Sequence, residues 1–186
     1  MEVDSWSPDL MTGGTRGVTA GINESPQWYE HMDFFNIATT GNSTDFGDMS
    51  SDVFGCGATA SSSRGIVFGG YEPVVASNNN RIEFVTIASQ GNSQDFGDMT
   101  VGRSNSCVSG NQTRAVAVCG AKTPGTSNVI DYVNISSTGD AVDFGNLTVA
   151  RRRGGSGASN TRVMFGGGYA PGVNDTVDYI TPSSLG

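Results

Sequence analysis

Charge is scarce in this sequence. Charged residues make up 15% of the 186 positions, against a usual ~25%, which excludes a charged helical bundle or a coiled coil. Lysine occurs once, at Lys122, and the ten basic residues face 18 acidic ones, for a net charge of -8. A nucleic-acid binder replaces condensed counterions with a basic surface. This chain is acidic overall, so neither nucleic acid nor an anionic membrane surface is an expected partner. No apolar run approaches the ~18 residues of a membrane helix, so no membrane insertion is expected. The opening Met1-Glu2-Val3-Asp4 lacks the basic-then-apolar pattern of a signal peptide; synthesis in a reducing cytoplasm is the expectation.

Reactive side chains are equally sparse. His31 is the only histidine, so a histidine-based triad has one possible member; it reads as an exposed linker residue. Cys56, Cys107 and Cys119 are odd in number and widely spaced. That pattern fits neither a disulfide framework nor a metal site built from close pairs, and it predicts small residues buried in strands. The glycine-rich stretches lack the Gly-Lys-Ser/Thr ending of a phosphate-binding loop. No catalytic constellation and no cofactor site emerge, and the chain is read as not an enzyme.

Glycine is plentiful: 27 residues, roughly twice the usual ~7%, without the G-X-Y period of collagen. The chain repeats. Ile37 to Met49 returns as Ile87 to Met99 and again as Ile135 to Leu147, at offsets of 50 and 48 residues, each copy carrying Asp-Phe-Gly. A Thr-Arg or Ser-Arg pair heads a short run of small and apolar residues at Arg16, Arg64, Arg114 and Arg162. An acid-aromatic-apolar triplet stands at Asp33, Glu83, Asp131 and Asp178. Three motifs in one order with one period define a repeat architecture.

Each unit reads as about four short strands. Val177-Asp178-Tyr179-Ile180 is β-branched and aromatic, and no stretch carries a sustained 3.6-residue apolar stripe. Ile66-Val67-Phe68 and Ala115-Val116-Ala117-Val118 do not alternate, which predicts strands buried on both faces. Small sheets covered by their neighbours around an axis make a β-propeller. The expected fold is all-β: a small propeller of about four blades built from repeats of 48–50 residues. The units are 1–49 (partial), 50–99, 100–147 and 148–186 (incomplete), in a single domain 1–186. Residues 2–10 resemble the outer strand that the last unit lacks. Their pairing would close the ring within one chain; an open arc completed by another chain is the alternative.

Asp-Phe-Gly at 45–47, 95–97 and 143–145 lacks every other part of a kinase. Phe46, Phe96 and Phe144 are expected to pack between blades, with Gly making a turn and Asp accepting local backbone hydrogen bonds. Asp45, Asp48, Asp95 and Asp98 are weak calcium candidates, two carboxylates per unit being few for an ion that takes 6–8 oxygens. Arg16, Arg64, Arg114 and Arg162 either pair with acids of their own unit, such as Asp33, Glu83, Asp131 and Asp178, or circle the axis to bind an anion. Arg151-Arg152-Arg153 is the only basic cluster, read as a solvated strand end or a dock for an acidic partner. Trp6, Trp28 and Tyr29 break the repeat, as core filling or as interface anchors.

The apolar run, the double glycines Gly69-Gly70 and Gly166-Gly167-Gly168, and the acid-aromatic strand resemble a Kelch-type blade. The run Thr-Gly-Asn-x-x-Asp-Phe-Gly-Asp-Leu/Met-Thr-x-x-Arg, seen across Thr40 to Met49, Gly91 to Arg103 and Thr138 to Arg151, is similar to degenerate Kelch-like repeats in virion proteins of marine bacteriophages. That resemblance implies a virion structural, capsid-decoration or tail-fibre role. Its implied partners are other virion proteins or a host-surface glycan, with a homo-oligomer as a further possibility. A soluble carbohydrate-binding or scaffold propeller is the alternative.

Overall fold

The computed structural model describes residues 15–24 and 27–184. It is all-β, with four antiparallel sheets that follow one another along the chain. The first consists of β1 (Arg16–Glu24), β2 (Gln27–Asn36) and β3 (Thr44–Asp48). The second has β4 (Gly57–Ala60), β5 (Arg64–Glu72), β6 (Ser77–Thr86) and β7 (Gln94–Asp98). The third has β8 (Cys107–Gly110), β9 (Arg114–Val118), β10 (Val129–Asn134) and β11 (Val142–Asn146). The fourth has β12 (Gly155–Ala158), β13 (Val163–Gly166) and β14 (Val177–Ile180). Strands in each sheet stand side by side in sequence order, as short hairpin loops dictate.

The sheets stack in chain order, with β4 against β8 and β8 against β12, leaving three seams. At the first, Met32, Phe46 and Met49 meet Val53, Val67 and Val85. At the second, Ile66, Phe68, Ile82, Phe84, Phe96 and Met99 meet Val108, Ala115, Ala117, Val133 and Ile135. At the third, Val116, Val118, Ile130, Tyr132, Phe144 and Leu147 meet Val163 and Phe165. A strand such as β9 therefore sends Ala115 and Ala117 into one seam and Val116 and Val118 into the next, and all four are fully buried. That is why the inner strands do not alternate.

Asp-Phe-Gly is a bulge and not the turn expected from sequence. In the first sheet Met32 pairs with Gly47 and Asp33 with Asp45, leaving Phe46 extra. The same slip leaves Phe96 extra opposite Ile82/Glu83 and Phe144 extra opposite Ile130/Asp131. The freed aromatic residue enters the seam edge-on to an aromatic of the neighbouring strand: Phe46 to Phe34, Phe96 to Phe84 and Phe144 to Tyr132. Gly47 and Gly97 take φ of 139° and 143°, a region L side chains rarely adopt. A Cβ there would lie 2.5 Å from the backbone of Gly91 or Gly139 in the next sheet. Asp45 and Asp143 accept the N–H of Gly47 and Gly145 at 3.0 and 2.9 Å. The bulge carbonyls of Phe46 and Phe96 accept N–H groups of Gly91 and Gly139 across the seam, at 2.8 and 2.7 Å. One tripeptide thus bends its strand, fills a seam and bonds the next sheet.

His31 is not in a linker. It lies on β2, exposed, with Nδ1 2.8 Å from Asp48 Oδ1. Trp6 and the proposed closing strand 2–10 lie outside the described residues. Trp28 and Tyr29 occupy β2, opposite Asn23 and Ile22, and not the loop read from sequence; their side chains lie outside the described ones.

Candidate functional site

The repeated arginines are architectural, but not through the acids of their own unit. Arg16, Arg64, Arg114 and Arg162 each lay their guanidinium over the aromatic ring one place after the acid. The centroid distances are 4.8 Å to Phe34, 4.7 Å to Phe84, 4.5 Å to Tyr132 and 4.6 Å to Tyr179. Such cation–π contacts contribute about 0.5–1 kcal/mol each at exposed sites. The stacked group then reaches forward. Arg16 Nη1 donates to Ile87 O and Arg64 Nη1 to Ile135 O, both at 3.0 Å. Arg114 Nη1 donates to Pro182 O, and to Ser184 O at 3.2 Å. Every acceptor belongs to the following sheet, so the motif ties one sheet to the next.

The basic cluster 151–153 does not form one surface. Arg151 is 1% exposed, with Nη1 2.8 Å from Asp178 Oδ2 and Nη2 donating to Phe165 O at 3.1 Å. Arg103, its counterpart one unit earlier, is fully buried, 2.8 Å from Asp131 Oδ2 and donating to Ala117 O at 3.0 Å. Thr100 and Thr148 donate their hydroxyls to Asp131 and Asp178 at 2.6 and 2.8 Å. Burial lowers the Arg103 pKa from its ordinary value, and the Asp131 carboxylate opposes that shift. Two of the triplet acids, Asp131 and Asp178, therefore meet arginines of the preceding loop. Sequence reading missed this, although Val53 stands at the same position one unit earlier, which signals a buried site. Arg152 and Arg153 part from Arg151: the first stacks over Tyr169 at 5.5 Å, and the second is exposed.

Two of the four calcium candidates have other engagements: the Asp45 carboxylate caps Gly47 and that of Asp48 meets His31. Among the described residues, no three His, Cys, Asp or Glu side chains gather to hold a metal. Cys107 and Cys119 are buried neighbours, their sulfurs 3.3 Å apart as free thiols. The Cys119 thiol donates to Cys107 and holds its pKa down at about 7, while Cys119 itself is raised.

A groove lies on the rim where the loops after β5, β9 and β13 meet the loops that lead into β4, β8 and β12. Three homologous backbone bridges frame it: Phe54 with Tyr71, Ser104 with Ala121, and Arg152 with Tyr169. They bring one pair from each of three sheets to one trough of about 430 Å³. Phe54 and Tyr71 form an aromatic platform at one end, ring centroids 5.2 Å apart. Tyr169 with Arg152 forms the other end. Between them lie Asn78, Asn105 and Lys122. Asn78 Oδ1 and Arg152 Nε are buried without a hydrogen-bond partner. The titratable groups lining the trough are Tyr71, Lys122, Arg152 and Tyr169. Its aromatic faces, amides and cations are groups that stack and hydrogen-bond. Sequence reading did not find it, because its members are scattered singly over three units; their common place in the repeat was the available signal. No protein-family model matches the chain, and no curated protein matches it.

Proposed function

We propose that the four sheets are the blades of a small Kelch-like propeller, and that the chain is a non-enzymatic attachment module of a phage particle. It contacts a host-surface glycan or another virion protein. The rim groove is the single observation that carries the binding reading. Aromatic rings take the apolar C–H faces of a sugar ring, while amides and cations fix its hydroxyl or acidic groups. The virion setting rests on the resemblance of the repeat, and a soluble carbohydrate-binding or scaffold propeller would use the same groove. The test is a glycan array followed by calorimetric titration of the ligands found. Tyr71→Ala and Tyr169→Ala should each weaken binding by about tenfold or more with the fold intact by circular dichroism. Binding unchanged in both variants removes the groove from the function. Mass spectrometry of purified particles separates the virion module from the soluble one.

A further inference from the structure

The two ends of the array present the two halves of a seam, and among the described residues no sheet packs on either half. Each sheet has a forward face that packs on the next sheet and a rear face that receives the previous one. On the fourth sheet the forward positions are Met164, Val177 and Tyr179, counterparts of Val116, Ile130 and Tyr132 in the third. Val116, Ile130 and Tyr132 are 0%, 3% and 8% exposed, whereas Met164, Val177 and Tyr179 are 50%, 58% and 62% exposed. On the first sheet the rear positions include Phe35 and Ile37, counterparts of Val133 and Ile135. These are 41% and 64% exposed, against 3% and 2% in the third sheet.

The donor of the missing seam is already set. Arg162 stacks on Tyr179 as Arg16, Arg64 and Arg114 stack on their own rings. Those three donate to the carbonyls of Ile87, Ile135 and Pro182 in the sheet ahead. Among the described residues the Arg162 guanidinium meets no such carbonyl. The residue that aligns with Ile87, Ile135 and Pro182 in the first sheet is Ile37. The inner strand agrees. A Cβ on Gly57 of β4 would lie 2.4 Å from Val108 of the next sheet, whereas Gly155, its counterpart on β12, has open space around it among the described residues.

We propose that a second copy of this chain completes the missing seam. The fourth sheet of one chain packs its Met164/Val177/Tyr179 face on the Phe35/Ile37 face of the other's first sheet, and Arg162 donates to the partner chain's Ile37 carbonyl. The contact is head-to-tail, joining two different surfaces, so it ends only by forming a ring. Two chains joined at both ends bring eight sheets together, within the four to eight blades that propellers use. The argument for this occupant is continuity: the seam it forms is the one the chain already makes three times.

Light scattering and native mass spectrometry on the full chain test it. The expected mass is that of a dimer at micromolar concentration. Arg162→Ala should weaken association about tenfold. Met164→Asp and Phe35→Asp, each at an exposed position, should each give folded monomers. Mixing those two variants should restore a dimer, because one intact seam remains between a sound head and a sound tail. Several results overturn the proposal: a wild-type monomer, which indicates closure within one chain or no closure; a dimer that both aspartate variants retain; or variants that fail to recover on mixing. Circular dichroism of each variant separates loss of association from loss of fold.

Discussion

Where the first sheet meets the second, Val53 occupies the place that Arg103 and Arg151 take at the next two seams. The acid opposite is kept at all three: Glu83, Asp131 and Asp178. Glu83 is 5% exposed and accepts the Ser50 N–H and the Ser93 hydroxyl, both at 3.1 Å. Asp131 accepts the Thr100 hydroxyl and faces a fully buried guanidinium whose Nε and Nη1 find no acceptor. The same backbone geometry thus forms with an apolar residue or with a buried cation. The acid's constant task is to hold the preceding loop with neutral donors. The cation is an addition at two seams, and its desolvation is expensive unless the acid is there to meet it.

The largest effect should come from leaving that cation alone. Asp131→Ala is expected to cost about 3–5 kcal/mol, since it strands a buried charge. Glu83→Gln at the first seam should cost only about 1–2 kcal/mol, because the amide oxygen still accepts from Ser50. Urea unfolding of the two variants measures the gap. Copying the first seam into the second, as Arg103→Val with Asp131→Glu and Ala141→Ser, should recover at least half of the Asp131→Ala loss. A triple variant as unstable as Asp131→Ala would show that the two chemistries are not interchangeable.

A smaller contrast separates the stacked arginines. Arg64→Ala removes a cation–π contact and a hydrogen bond across a seam, an expected loss of about 1–2 kcal/mol. Arg162→Ala in a dissociated chain removes the stack alone and should cost under about 1 kcal/mol. Equal losses in dilute thermal melts would mean that the forward bond contributes nothing.

The smallest effect belongs to the first sheet. His31 has its pKa raised above the ordinary 6.5, chiefly by its hydrogen bond to Asp48. A group whose pKa is higher folded than unfolded stabilises the fold below the unfolded value. That contribution fades as pH rises through the folded value. The expected outcome is a slight fall in melting temperature from pH 6 to pH 8, absent in His31→Gln. An imidazole titrating at or below the ordinary value by NMR would contradict the pairing.

Much of this architecture was legible in the sequence. The period, the order of the motifs and the unbroken apolar runs at 66–68 and 115–118 predicted small sheets covered on both faces; the structure has four antiparallel sheets in series, of which the second and third are packed on both faces. The bulge was not legible, because Asp and Gly favour turns and bulges alike; only the strand register separates them. The partners of Arg16, Arg64 and Arg114 were hidden for another reason. A backbone carbonyl carries no residue identity, so no acceptor type recurs for a pattern search to find. Arg151 misled through its neighbours: three cations in a row suggest a wet surface, while only the comparison with Val53 shows that the first of them points inward. The rim groove was missed because aromatic residues 54, 71 and 169 are isolated along the chain and converge only when three sheets stack; only their equivalent places in the repeat hinted at it.

The forward bonds also set an order of events during synthesis. The acceptors of Arg16 and Arg64 lie 71 residues downstream, several seconds of translation at about 5–20 residues per second. Each aromatic partner lies in the arginine's own sheet and emerges much sooner, so the guanidinium can be aimed before its carbonyl exists. A chain leaving the ribosome therefore always carries one unfinished surface, that of the sheet most recently made. Each later sheet covers the last exposed face and presents the next.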